Sequence, residues 1–251
     1  MGFVQLSTHE GVAEVTFARG KVNVLNEQAV EELRGCFEKL AGDSGVKAII
    51  LTGQGTKFFS FGFDIPEFLS YSKEAFSGYL RKFTSLYAYL FTHPKPVVAA
   101  LNGHTIAGGC MLALACDYRI MVAGKAKISL NEITFGSSLF AGSVRMLKFV
   151  VGERDAQAVA YSGAMYTAAE AQQLGLVDQV SSEEKLMEDA REVAQRFAAK
   201  DSTAFASIKR LLRSPVVKEM IEHEERSVAE FADIWYSERT WNNLQAIKIH
   251  S

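Results

Sequence analysis

The stretch NGHTIAGGCMLALACD, residues 102–117, decides how the chain is read. The run VVAAL at 97–101 before it has the composition of a strand covered on both faces. Ala107-Gly108-Gly109 then opens a helix that continues through Leu114. The first N–H groups of a helix lack intrahelical partners and carry a partial positive charge. Paired glycines at that point let a ligand come close to the backbone. The junction can therefore receive an anion, or an oxygen that becomes anionic during a reaction. Small residues at a strand–helix junction also serve plain close packing, so a functional reading needs a second element facing this one.

That second element is KFFSFGFD at 57–64, another glycine-bearing turn that follows a buried-type strand, VKAIILTG at 46–53. Two such turns can aim their N–H groups at one oxygen atom, and Phe63 and Gly108 are the pair expected to do so. Outward from here the chain repeats a strand, turn, helix pattern. VQLSTHE (4–10) and VAEVTFA (12–18), separated by Gly11, read as a hairpin. Asn26 can cap a helix over 27–41, whose Val30, Leu33, Phe37 and Leu40 follow helical spacing. IPEFLS forms a short helix with Pro66 near its start, and 73–92 a long amphipathic one. Strands are expected at 117–123 and 126–133, the second ending near Glu132.

From about residue 143 the pattern turns helical, with helices expected at 143–150, 153–162 and 168–174. Thr167 with Glu170 fits a capping box at the last of these. After a brief strand at 177–180, helices near 183–199, 203–212 and 216–247 finish the chain, with Ser214-Pro215 as cap and first turn of the final one. The 251 residues, 48% hydrophobic, suffice for one or two globular units. A formal net charge of −2 gives no general pull toward nucleic acid or an acidic membrane surface. The three cysteines, Cys36, Cys110 and Cys116, have no metal-ligand spacing and read as reduced core residues. Without a signal-peptide pattern or a long apolar run, a soluble cytoplasmic protein is expected.

Three segments in order resemble the crotonase (enoyl-CoA hydratase/isomerase) superfamily: RGKVNVLN at 19–26, FFSFGFDIPE at 58–67 and NGHTIAGGCMLALACDYRI at 102–120. The likeness covers residues 3 to about 200. It implies an α/β fold, a spiral of ββα units over residues 1–200 that binds acyl-coenzyme A and carries out catalysis. Residues 201–251 would form a helical C-terminal region for oligomerisation or active-site cover. It also implies a homotrimer or a dimer of trimers, and an oxyanion hole made by Phe63 and Gly108. Ser60, Phe61, Gly62, Asp64, Met111 and Asn131 join those two as expected substrate-binding residues.

Hydratases of the family resemble this chain but carry two glutamates. One matches Glu132; the other sits three residues after the oxyanion-hole glycine, where this chain has Met111. Three residues on, a helical side chain covers the same face, so Met111 reaches toward the same pocket but can move no proton. One carboxylate suffices for a double-bond shift. The segment from Cys116 to Glu132 and GLVDQV at 175–180 are similar to Δ3,Δ2-enoyl-CoA isomerases, which implies Glu132 as base and Asn131 as a substrate contact. The alternatives are a hydratase or other acyl-CoA enzyme of the same fold, and a non-catalytic acyl-CoA-binding scaffold. No metal or redox cofactor is expected, since coenzyme A arrives within the thioester substrate. Phe61, Phe63, Phe68, Met111, Phe135, Leu139 and Phe140 can line an acyl channel or simply pack the core. Arg19, Lys21 and Lys57 can meet coenzyme A phosphates or be solvated. Asp64 and Asp117 read as turn-fixing residues, and His104 as structural.

Overall fold

The apolar runs become the inner strands of a six-stranded sheet. The computed structural model describes residues 2–247. The edge begins with β1 (Val4–His9) and β2 (Val12–Phe17), an antiparallel hairpin whose turn places Glu10 and Gly11 at positive φ, the conformation that matches strand twist in a two-residue loop. β3 (Val24–Leu25) precedes α1 (Glu27–Gly42), where the Asn26 side chain accepts from Ala29 N–H as the expected cap. α1 buries Val30, Leu33, Phe37 and Leu40 on one face.

A repeating unit then takes over. β4 (Ala48–Gly53) is followed by β5 (Phe58–Ser60) and β6 (Gly62–Phe63), then by α2 (Ile65–Phe68) and α3 (Lys73–Phe91). β7 (Val97–Leu101) is followed by β8 (His104–Ile106) and α4 (Gly108–Ala115). β9 (Tyr118–Val122) is followed by β10 (Ile128–Ser129), a short 3₁₀ turn at Glu132–Phe135, and α5 (Ala141–Ser162). The first strand of each unit joins the main sheet, in parallel order β2-β4-β7-β9; the second joins a small parallel sheet ordered β10-β8-β5. Two strands and a helix per turn, stacked in two sheets, make the expected spiral. β4 and β7 are buried along their whole lengths, as strands flanked on both faces must be.

The chain ends with α6 (Ala168–Gln173), β11 (Gln179–Ser181) pairing with β9, α7 (Leu186–Ala198), α8 (Ser202–Trp235) and α9 (Glu238–Gln245). The Thr167–Glu170 capping box is present. The helices expected at 143–150 and 153–162 are one element interrupted at Gly152, whose φ of 82° and ψ of 167° break the helical path between them.

Three expectations fail, the first being the final helix over 216–247, which breaks at Tyr236-Ser237 into α8 and α9. The strand over 126–133 is only two residues long, because Asn131 leaves the extended region (φ −99°, ψ 16°) and starts the 3₁₀ turn with Glu132 as its first residue. The break before Pro215 does not occur: α8 runs through it. Side chains on the turns around the proline hold the helix. Buried Lys209 and Arg213 reach Asp117, and Met220 and Val228 pack into the core. That anchoring outweighs one missing N–H donor. Met220, Val228, Phe231, Ala232 and Trp235 of α8 belong to the same buried cluster as the inner strands of the sheet, so residues 201–247 pack onto the spiral and share its core. No helix among the described residues is long and apolar enough to cross a membrane.

Candidate active site

α4 starts abruptly. Ala107 has φ 50° and ψ −118°, a conformation rare for a side-chain-bearing residue, and its N–H donates to Ser129 O at 2.8 Å. This corner turns β8 into α4 within one residue. Met111 N–H makes the bond to Ala107 O at 3.0 Å, so Gly108 N–H is the first of the helix donors without an intrahelical acceptor. The glycines are required by close approach. A Cβ on Gly109 would lie 2.5 Å from Ser60 O, and one on Gly62 would lie 3.1 Å from Gly108 N. The turn at 60–63 and the start of α4 are thus pressed together, as the pairing of the two glycine turns anticipated.

Phe63 is fixed from both sides. Phe61 and Asp64 N–H groups flank it and donate to Val22 and Leu25 carbonyls, each at 3.0 Å. Its ring makes edge contacts with Tyr79 at 5.1 Å and Phe83 at 4.9 Å between centroids. The same ring covers Gly108, where an added Cβ would come within 3.1 Å of it.

Beside these turns lies a cavity of about 300 Å³, lined by Phe61, Phe63, Gly108, Met111, Asn131 and Glu132, with Phe135, Phe231, Trp235 and Ile247 among its apolar walls. Among the described residues Glu132 is the one ionisable side chain lining it. Glu132 is 4% exposed, and its Oε2 has no hydrogen-bond partner. Burial pushes its carboxyl pKa up to about 8, since desolvation disfavours the charged form. Asn131 Oδ1, next in the chain, is also buried and unpartnered. Orphaned buried polar atoms are uncommon in folded proteins and mark places held ready for a ligand or for chemistry.

The structure thus gathers Phe61, Phe63, Gly108, Met111, Asn131 and Glu132 at one cavity. It directs three other expected binding residues elsewhere. Ser60 is fully buried and donates to Asn23 O at 2.7 Å, while also accepting from Gly62 N–H, so its hydroxyl shapes the turn. Gly62 contributes close approach (φ 91°) but does not line the cavity. Asp64 caps α2 through Glu67 N–H and pairs with Arg19 at 2.6 Å. Arg19 also reaches Glu67 at 2.9 Å, which leaves it committed to the fold. Lys57 lies over the Phe58 ring. His104 accepts from Lys127 N–H, and burial pushes its imidazole pKa down.

Of the expected channel residues, Phe68 packs on Tyr79 and Phe140 stacks on Phe231 at 4.4 Å. Leu139 lines a neighbouring cavity on the other side of the 3₁₀ turn. Phe231, Trp235 and Ile247 were not singled out in the sequence; they come from a helix and a tail that meet the site only through tertiary packing. A larger groove of about 510 Å³ lies between α3 and α8, away from both turns, with the Tyr87–Glu224 and Arg81–Glu225 pairs in its walls. Among the described residues no three or more His, Cys, Asp or Glu side chains are grouped to hold a metal ion.

The family model for enoyl-CoA hydratase/isomerase matches residues 7–245. The chain belongs to the enoyl-CoA hydratase/isomerase family. It is 33% identical over 249 residues to a probable enoyl-CoA hydratase of Bacillus subtilis (strain 168), covering 98% of this chain and 95% of that protein. It is 30% identical to human mitochondrial enoyl-CoA delta isomerase 1 over 94% of this chain and 78% of the relative. The crystal structure of human mitochondrial Δ3-Δ2-enoyl-CoA isomerase superposes with a TM-score of 0.93 at 29% identity, covering 97% of this chain and 95% of that one. Relatives of both reaction types therefore share this enoyl-CoA hydratase/isomerase fold, and the reaction must be argued from the cavity.

Proposed function

We propose that the protein is a Δ3,Δ2-enoyl-CoA isomerase. The observation that carries this reading is the single carboxylate: Glu132 lines the cavity, and Met111 on the first turn of α4 offers a thioether where a second acid would be needed. Adding water to a double bond requires positioning the water and moving two protons, which two carboxylates do. Moving a double bond requires one group that takes a proton and returns it.

In the proposed reaction, ionised Glu132 takes a proton from C2 of a 3-enoyl thioester. The electrons of the broken C–H bond form the C2–C3 double bond as the C3–C4 double bond opens, with negative charge shared between C4 and the thioester oxygen. The N–H groups of Phe63 and Gly108 hold that oxygen, each contributing on the order of 3 kcal/mol as charge develops. Glu132 then delivers the proton to C4, giving the 2-trans-enoyl thioester. The oxidation state is unchanged, so the reaction as written needs no redox partner, and coenzyme A enters and leaves as part of the thioester. A raised carboxyl pKa suits this role, because it brings the base closer to the acidity of the proton it must both take and return.

A role in fatty-acid β-oxidation in the cytoplasm, as a homotrimer or a dimer of trimers, goes with this reading. α8 exposes Ile208, Leu211 and Leu212, which share one helix face, an apolar patch of the kind that subunit contacts cover. The test is to incubate the purified protein separately with 3-enoyl-CoA and 2-enoyl-CoA and to follow isomer and hydroxyacyl product together. Rapid formation of 2-enoyl-CoA with little hydroxyacyl product is the expected result. Predominant water addition would overturn the reading in favour of a hydratase, and no turnover of either would favour a binding scaffold.

A further inference from the structure

We propose that Thr240 and Asn243 of α9 are positioning residues that clamp the 3₁₀ turn carrying Glu132, and so hold its carboxyl in register with the reacting carbons. This rests on the reading of Glu132 as the proton-transfer group.

Besides α9, the turn packs against the end of α5, where a Cβ on Gly163 would lie 2.8 Å from the Ile133 and Thr134 methyl groups. It is four residues long, and only Glu132 among them is buried; Ile133 is 49% exposed. A 3₁₀ turn has weaker hydrogen-bond geometry than an α-helix, and its last carbonyls have no partner of their own. Inside the turn, Thr134 N–H donates to Asn131 O, Gly136 N–H to Ile133 O, and Ser137 N–H to Glu132 O. These bonds use the first three carbonyls. Two later carbonyls of the segment, Phe135 O and Gly136 O, are taken by α9. Asn243 Nδ2 donates to Phe135 O at 3.0 Å, and Thr240 Oγ1 to Gly136 O at 2.7 Å.

The contact is shaped on both sides. Gly136 adopts φ 86°, and a Cβ there would lie 3.2 Å from Thr240 Oγ1, so glycine both closes the turn and admits the hydroxyl. Thr240 is 2% exposed, and Leu244 one turn later is fully buried. Trp241 stacks on Tyr236 at 5.1 Å, and the Tyr236 hydroxyl donates to Tyr71 O at 2.7 Å. α9 is therefore a fixed support. With the clamp in place, Glu132 stays in its dry position; with it removed, the turn can swing and water can reach the carboxyl.

The other groups around Glu132 keep this readable in a titration. From α4, Cys110 is buried with its thiol pushed far up, hence neutral. α8 brings Phe231 and Trp235 to the cavity, and the clamp itself is a hydroxyl and an amide, none of which titrates in the working range.

The test compares the wild-type protein with the double variant Thr240→Val/Asn243→Ala and with Thr240→Ser, which keeps the donor. Three quantities are read: kcat and KM with 3-enoyl-CoA, the thermal midpoint, and the titration of the Glu132 carboxyl by NMR, assigned with Glu132→Gln. The double variant is expected to lose roughly tenfold to a hundredfold in kcat, the scale of a misplacement of about 1 Å, with KM nearly unchanged. Its Glu132 carboxyl should titrate at lower pH than in wild type, and Thr240→Ser should keep near wild-type values in both readouts. An unmoved carboxyl titration would overturn the clamp, whether or not kcat falls, because a merely structural loss lowers stability without changing the surroundings of Glu132. The titration needs no substrate. Wild-type protein that fails to isomerise would count against the proposed reaction, while the carboxyl shift would still decide the clamp.

Discussion

α4 has two ends, and the protein treats them in opposite ways. At its C-terminal end, Arg213 donates to the carbonyls of Phe91, Ala115 and Cys116 at 2.8–3.1 Å, and Arg119 also donates to Cys116 O at 3.0 Å. Cations at a helix C-terminus are where the dipole favours them. Asp117, just beyond, accepts from Val97 N–H at 2.8 Å and from Lys209 at 2.6 Å, with Arg213 at 3.1 Å. Burial pushes the Lys209 ammonium pKa down, and the Asp117 carboxylate pushes it back up. At the N-terminal end there is no such provision. Gly108 N–H opens on a cavity, and across that cavity Glu132 stands with one carboxyl oxygen unpartnered. The same short helix thus joins a satisfied acid to an unsatisfied one. The satisfied end fixes the helix, and in the proposed reaction the unsatisfied end is where the helix acts.

The sharpest way to break this contrast is to remove each acid in turn. Glu132→Gln should cut isomerisation by about 100- to 10,000-fold, the range for losing a general base, with acyl-CoA binding and folding preserved. Steady-state kinetics alongside ligand titration would show it. Asp117→Asn should instead destabilise by about 3–5 kcal/mol, because Lys209 and Arg213 are left buried without their counter-charge. Denaturant unfolding would measure that loss. If Glu132→Gln cost stability and Asp117→Asn cost only turnover, the roles assigned to the two ends would be reversed.

Met111→Glu tests the open end from the other side. It adds a second carboxyl to the cavity wall and should cost at least about 1–3 kcal/mol of stability, the cost of a buried polar group without a partner, and more if it stays charged. Hydroxyacyl product from 2-enoyl-CoA should rise above the wild-type level. A variant that stays folded yet adds no water would show that Met111 is not what withholds hydration.

Much of this was legible in the residues themselves. Helical spacing in α1, the Asn26 cap, the Thr167–Glu170 box and the buried β4 and β7 runs are local signals, and the fold carries them unchanged. The glycine turns at 62 and 108–109 were legible because only glycine allows such close backbone approach, and those close approaches are what the structure contains. The strand expected to reach Glu132 was not, since alternation of apolar residues cannot register that Asn131 turns out of the extended region. Nor could Pro215 be placed inside a helix, because what holds α8 through it is a set of ion pairs to Asp117, nearly a hundred positions earlier. Phe231, Trp235, Thr240 and Asn243 were silent for the same reason. Their relation to Glu132 exists only once the C-terminal helices fold back onto the spiral.

One further effect bears on Glu132 without any substrate. Its carboxyl titrates at about 8 in the folded protein and near the ordinary glutamate value of about 4.3 in the unfolded chain. Between those two values the native state binds a proton that the unfolded state has lost. Stability must therefore decline as pH rises across that window, by at most about 1.4 kcal/mol per pH unit from this group. Below the window the contribution is fully present; above about 8 both states are ionised and the decline stops. Glu132→Gln removes this one proton, so the difference in unfolding free energy between variant and wild type should grow in the variant's favour from pH 5 to pH 8 and then level off. The wild-type kcat/KM should move in the opposite direction, rising about tenfold per unit toward pH 8, because only the ionised base can take the proton from C2. Stability falling while activity rises over the same interval ties both to one carboxyl; parallel curves for Glu132→Gln and wild type would mean that Glu132 is ionised in its cavity from the start and that the open end of α4 is wetter than its lining implies.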